Sequence, residues 1–226
     1  MVLTGASLQR TSLRDQALSV LREALVTGSL EPGEVYSAAS LATELGVSTS
    51  PVREAMLALV DEGLLEALPN RGFRVVSFTE QDFTEIFELR MMLEAPGAGR
   101  AAELGLGDRV ERLSQLVDVI ERTAEEHDLP GNLQADRDFH LLLLEATGNR
   151  RLVDSVACLR DQTRLYNLRR LTADGDLARS AAEHRPLLAA VLKGDRALAE
   201  ELMRRHLSHI PGDWSSGGEP QRGPTT

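Results

Sequence analysis

The segment "DRDFH" places Asp136 and His140 four residues apart. On an α-helix that spacing puts a carboxylate and an imidazole on one face, one turn from each other. The chain has five histidines: His127, His140, His184, His206 and His209. His140 runs into the apolar stretch "LLLLEA", His184 stands one turn before Leu187 and Leu188, and His206 follows Leu202 by four positions and Met203 by three. These three therefore fall on the apolar sides of three different segments, and Asp136 accompanies one of them. A single inward histidine is ordinarily a core residue with a hydrogen-bond partner. Three imidazoles and a carboxylate are harder to bury by accident, because each costs free energy unless it is paired. Such a set suits a divalent metal, with zinc the first choice and nickel, manganese and iron compatible. His127 follows "RTAEE" near a helix end and His209 adjoins the C-terminal tail, so both are expected to face solvent.

Arginines add a second chemistry. Arg90 shares a helical face with Ile86, Phe87 and Leu93, and Arg164 lies in "RDQTRLYNLRRL" beside Leu165 and Leu168. A buried guanidinium needs an anion. For Arg90 that anion is either an internal partner, Glu94, or a bound carboxylate held between arginine and metal. Tyr166 and Asn167 are candidates for further hydrogen bonds to such an effector.

The elements that must carry these residues are mostly helical. "TSLRDQALSVLREALVTGSL" sets Leu13, Ala17, Val20 or Leu21, and Ala24 or Leu25 on one stripe, with Thr11 or Ser12 as cap. "SAASLATELG" is a short helix that Gly46 closes. "VSTSPVREAMLALVDEG" is the next, with Ser48 or Ser50 at its start and Pro51 tolerated in the first turn. "LLEALPNRGFRVV" alternates and turns at Asn70, Arg71 and Gly72, which predicts two strands. Two helices joined by a tight turn and followed by a hairpin make a winged helix-turn-helix over residues 11–76. From residue 77 to 210 the period is helical throughout, over 79–104, 108–127, 130–147, 149–172, 176–193 and 195–210. Six helices with short connections predict an all-α bundle. Pro96 and Gly97 are expected to interrupt the first of them with a kink. The fold class is mainly α, and residues 1–10 and the tail 211–226 are expected to be disordered.

Composition narrows the function classes. The 226 residues are 42% hydrophobic, 4% aromatic and 27% charged, with a formal charge of -10. Residues 1–76 carry six basic and nine acidic side chains. That acidity argues against a charge-driven nucleic-acid coat, though not against a localised reading head, and predicts weak non-specific binding with a modest salt slope. The one cysteine, Cys158, permits no intrachain disulfide and reads as helix filler. No stretch of about 18 apolar residues suggests a membrane span, and no signal peptide is evident, so the cytoplasm is the expected compartment.

"LREAL", "PGE", "LGVS", "PVREA", "EGL" and "PNRGF", taken together over about residues 12–76, resemble the winged-helix domain of GntR-family transcriptional regulators. A recognition helix places its N-terminal residues at base edges in the major groove. Thr49, Ser50 and Arg53 occupy that stretch, and Arg53 can grip guanine or phosphate. Arg71 and Arg74 can reach minor groove or backbone, with Gly72 allowing close approach. The alternative for Arg53 is a surface ion pair with a carboxylate from another element, such as Glu44. Two departures reduce the positive charge expected of the family: Thr49 stands where it usually has arginine, and Ala38 and Ala39 stand where many members have Glu-Arg.

"FELRMMLEAPGAGRAAE", "DRDFHLLLLEATGN" and "EHRPLLAAVLKGDRALAEELMRRHL" resemble the FCD ligand-binding domain of the same family. Six helices, not seven, point to the shorter, vanillate-type subgroup. In that domain an Asp-His-His-His set is a metal site in many members, and Asp136, His140, His184 and His206 match it. The resemblance implies a homodimeric repressor that binds double-stranded operator DNA under the control of a small organic acid. Two rivals stand beside it: a metal-dependent hydrolase fused to a winged helix, and a repressor for which the ion itself is the signal. Against the hydrolase, no H-E-x-x-H motif is present, and neither Glu183 nor Glu145 shares a face with a candidate ligand.

Overall fold

The computed structural model describes residues 12–170 and 176–208, the side chains of 26, 164–170 and 176 apart. It divides into two compact units at Ser77 and Phe78.

In the first unit, α1 (Leu13–Thr27) starts at Ser12, whose Oγ accepts from the Asp15 amide at 3.1 Å, and ends at Gly28 in the left-handed region. A two-residue strand β1 (Val35–Tyr36) leads to α2 (Ala38–Leu45), capped by Ser37 and closed by Gly46. Helix α3 (Thr49–Asp61) follows after a tight turn, then β2 (Leu65–Leu68) and β3 (Gly72–Val75). The antiparallel sheet has the order β1-β3-β2, with Leu68 opposite Gly72 and Tyr36 opposite Phe73. Only two of these strands are visible as alternation in the sequence. β1 is too short to have a period and exists because β3 offers an edge. That edge explains Gly72: its φ is +117°, and a Cβ there would run into the Tyr36 carbonyl. Val52, Ala55, Met56 and Leu59 of α3 pack on Leu21, Leu41, Leu65 and Phe73 to form the core.

In the second unit, α4 (Glu80–Leu104) opens with a capping box in which Thr79 and Asp82 each accept from the other's backbone. A 3-10 turn over Gly107–Arg109 precedes α5 (Val110–Glu125) and α6 (Leu129–Glu145). Then come α7 (Arg150–Arg170), α8 (Asp176–Leu192) and α9 (Arg196–Ser208). Pairs α4–α9, α5–α6, α5–α8 and α8–α9 pack around Leu113, Val117, Ile120, Phe139, Leu187, Met203 and Leu207.

Helix α4 is unbroken through Pro96 and Gly97, so the two residues do not divide it into separate helices. The small residues there answer to packing. A Cβ on Gly97 would collide with Leu144 of α6, and one on Gly99 would meet Glu200 Cγ of α9 at 2.5 Å. The stretch that reads as a break is the place where two neighbours approach the α4 backbone, and their contacts offset the hydrogen bond that Pro96 cannot make. Residues 1–11, 171–175 and 209–226, with both expected disordered termini and Trp214, lie outside the described residues.

Candidate metal centre and nucleic-acid interface

Three helices deliver the four residues singled out above. Asp136 and His140 lie one turn apart on α6, His184 lies on α8 and His206 in the last turn of α9. One ligand atom from each falls within 4.8 Å of all the others. His184 Nε2 is 3.1 Å from Asp136 Oδ1, and the Nε2 atoms of His140 and His206 are 3.8 and 3.9 Å from the same oxygen. His140 Nε2 and His206 Nε2 are 3.2 Å apart. The three rings are nearly inaccessible to water, at 0%, 1% and 6% exposure for His140, His184 and His206.

The other ring nitrogens decide what this arrangement can do. His184 Nδ1 lies 3.1 Å from the Ser180 carbonyl oxygen, and His206 Nδ1 lies 3.1 Å from Glu183 Oε2. His140 Nδ1 is 2.8 Å from Glu94 Oε2, although its N–H does not aim squarely along that line. A carboxylate that close has no proton to give and so favours an N–H on that nitrogen. All three neighbours only accept, which favours a proton on each Nδ1 and a lone pair on each Nε2 whenever a cation occupies the space beside Asp136 Oδ1. With the ring protons on Nδ1, three lone pairs and a carboxylate oxygen face one another. The set is electrostatically unfavourable alone and becomes favourable around a cation, which is the chemistry of an N3O metal site.

Around it lies a buried ionic quartet. Arg160 on α7 donates from Nη1 to Asp136 Oδ2 at 2.7 Å and from Nε and Nη2 to Glu94 Oε2 at 3.0 and 2.6 Å. Arg90 Nε donates to Glu94 Oε1 at 2.7 Å, and its Nη1 reaches Thr163 Oγ1 at 3.5 Å. Burial pushes the Glu94 carboxyl up, but Arg160, Arg90 and His140 together hold it well below the usual carboxylate range. Asp136 behaves likewise: burial raises it, and Arg160, His184 and His140 outweigh that and depress it. Burial and the Arg160 charge push His140 down to about 3, and burial followed by His184 lowers His206.

These shifts carry a prediction for the metal-free protein. The two imidazoles are neutral in the fold, whereas the unfolded chain takes up protons below about pH 6.5. Protons therefore favour the unfolded state, and stability present above that pH is lost as pH falls towards 3. The urea midpoint of chelated protein is expected to drop between about pH 7.5 and about pH 5. A flat midpoint across that range would show that the rings are not held neutral.

Several site residues were not legible in the sequence. Arg160 and Glu183 had no signal of their own, while Glu94 was marked only by its four-residue spacing from Arg90. Arg90 does take that internal partner. The side chains of Arg164, Tyr166 and Asn167 lie outside the described residues, as does His209. His127 is exposed, with φ at +57°, at the junction of α5 and α6.

On the first unit, Thr49, Ser50 and Arg53 are exposed on the opening turns of α3. Ser48 holds the N-cap position, but its side chain makes no cap bond, and Ser50 Oγ donates to Glu54 Oε1 at 3.1 Å. Among the described residues no carboxylate pairs with Arg53. Its guanidinium lies over the Phe73 ring of β3, 5.8 Å from the centroid. Arg71 is exposed at the hairpin tip, and Arg74 shares its charge with Glu66 at 3.0 Å.

A winged helix on the same chain as a helical bundle with a buried imidazole–carboxylate cluster defines a class, the DNA-binding regulator with an attached helical domain. Residues 13–75 match the model of the bacterial regulatory proteins of the gntR family, and residues 85–209 match the FCD domain. The chain is 31% identical over 201 residues to the HTH-type transcriptional repressor GlaR of Escherichia coli K12, spanning 83% of this chain and 89% of that one. It is 29% identical over 219 residues to a probable D-xylose utilization operon transcriptional repressor of Paenarthrobacter nicotinovorans, spanning 96% of each. Among solved structures, E. coli McbR/YncC shares the fold at a TM-score of 0.74 with 24% identity, over 89% of this chain and 96% of that one. A putative GntR regulator from Rhodococcus sp. RHA1 does so at 0.71 with 23% identity, over 91% and 99%. The chain therefore belongs to the GntR family of transcriptional regulators and carries an FCD domain. Its members are DNA-binding regulators and not enzymes, which sets the hydrolase reading aside. No described helix is long and apolar enough to cross a membrane.

Proposed function

We propose that the protein is a cytoplasmic, homodimeric repressor whose operator binding is controlled by a small organic acid at a divalent metal, zinc first, in the helical domain. Residues 11–76 are assigned to DNA reading and 77–210 to sensing and dimerisation. The observation that carries the sensing half is the convergence of the three imidazoles: their Nε2 atoms meet beside Asp136 Oδ1, while each Nδ1 is turned towards an oxygen 2.8–3.1 Å away. Asp136, His140, His184 and His206 would hold the ion. Bound there, it would supply a positive charge and open coordination positions for a carboxylate. Arg90, Arg164, Tyr166 and Asn167 are the proposed effector contacts, with Arg90 already tied to Glu94.

Repression is supported by the names of GlaR and the D-xylose operon regulator, both of them repressors. Operator reading is assigned to Thr49, Ser50, Arg53, Arg71, Gly72 and Arg74. Two heads meeting two half-sites call for a twofold dimer. An effector acts only by binding one arrangement of the heads more tightly, typically by about 1–3 kcal/mol.

The test is operator affinity measured on protein as purified, on chelated protein, and on each with a panel of small carboxylates, alongside metal analysis. Metal in the purified protein, with operator release by a carboxylate only when metal is present, supports the reading. Release by chelation alone would make the ion the signal, and a bundle that binds no divalent metal would end the sensing half.

A further inference from the structure

We propose that Glu94 is a positioning residue of the metal centre, one carboxylate that sets the presentation of two of the four ligands, His140 directly and Asp136 through Arg160. This rests on the metal-centre reading above, and its first readout is independent of any metal.

Glu94 is fully buried on α4, a helix that contributes no ligand. Its two oxygens are claimed by groups from three other positions. Oε1 takes Arg90 Nε, while Oε2 takes Arg160 Nε and Nη2 and lies against His140 Nδ1. A buried ionic cluster of this kind is a poor source of stability, since apolar side chains of similar volume often do as well or better. What it supplies here is orientation. A carboxylate at His140 Nδ1 keeps the proton on that nitrogen, leaves the Nε2 lone pair free to bind an ion, and makes the ring a stronger ligand. The guanidinium it holds then reaches Asp136 Oδ2 at 2.7 Å, which leaves Oδ1 as the oxygen facing the three Nε2 atoms.

Glu94→Gln keeps the shape and impairs this function in either amide orientation, by reversal in one and by weakening in the other. With its NH2 at the Oε2 position, the amide opposes Arg160 and donates to His140 Nδ1, which moves the ring proton to Nε2 and blocks the ligand. With its NH2 at the Oε1 position, it opposes Arg90 and leaves a weaker neutral acceptor for His140 and Arg160.

The experiment has two readouts. Long-range nitrogen–proton NMR on metal-free protein reports the His140 tautomer, and competition with a chromophoric chelator gives zinc affinity. Wild type is expected to show Nδ1–H at His140. Glu94→Gln is expected to show a mixed or Nε2–H ring and to bind zinc about 10- to 100-fold more weakly. A residue that serves only packing would lower the melting temperature and leave both readouts unchanged, and that result overturns the proposal. If Glu94→Gln does not fold, Glu94→Asp keeps the charge and withdraws it by one methylene, with the same two changes expected at smaller size. A wild-type protein that has the Nδ1–H ring but binds no zinc would overturn the metal reading and, with it, the role assigned to Glu94. Wild type that binds zinc alongside an unaffected Glu94→Gln variant would overturn this inference alone.

Discussion

His206→Ala protein is expected to lose most of its metal while its operator affinity stays near that of the parent. Structural zinc sites of four ligands are worth about 10–16 kcal/mol, so one ligand accounts for about 2.5–4 kcal/mol, roughly a hundredfold to a thousandfold in affinity. His206 is the member best suited to the test. It sits in the last turn of α9 at 6% exposure, so its removal disturbs the core less than loss of the fully buried His140 or His184. Its departure also leaves Glu183 without that imidazole, and the remaining N2O set has one lone pair fewer directed at the ion. Elemental analysis, a chelator competition and an operator titration with and without carboxylates measure the three consequences. The melting temperature of the metal-free variant separates the explanations. If the variant loses its fold while metal occupancy per folded molecule is unchanged, His206 is a packing residue and the centre lacks it.

Arg53→Ala is expected to weaken operator binding by about 1–3 kcal/mol per half-site. A dimer that uses both heads loses about thirtyfold or more. The physical ground is the state of the guanidinium. Arg53 is exposed on α3, has no carboxylate partner among the described residues, and is steadied by the face of Phe73, an interaction of about 0.5–1 kcal/mol at such sites. A cation that is uncommitted yet oriented loses little freedom when it meets DNA. The head has few others to share the task, since Arg74 is paired with Glu66 and Thr49 stands at a position where the family usually has arginine. The salt dependence tells base from phosphate. If Arg53 holds guanine, the loss is confined to operator sequence. If it holds phosphate, binding falls evenly across sequences and the salt slope drops by about one per head. An operator affinity that does not change would remove Arg53 from the interface.

Local periodicity was enough to determine a good deal of this protein. The stripes of α1 and α3, the helical runs from α4 to α9 and the hairpin around Asn70 are properties of contiguous residues, because side-chain period and turn chemistry act over a few positions. The four candidate metal ligands were visible for the same reason: three imidazoles lie on the apolar sides of their own helices with Asp136 one turn from His140, and inwardness is a local property. Tertiary structure alone decided what stands behind them. Glu94 meets Arg160 across 66 positions and Glu183 meets His206 across 23, and no period links such pairs. It also decided β1, which is a strand only because β3 lies beside it, and the "PGAG" stretch of α4, whose glycines lie where Leu144 and Glu200 approach the helix. A chain's own sequence specifies which faces turn inward; which buried charges then meet depends on how separate helices pack, and that is a property of the assembled core.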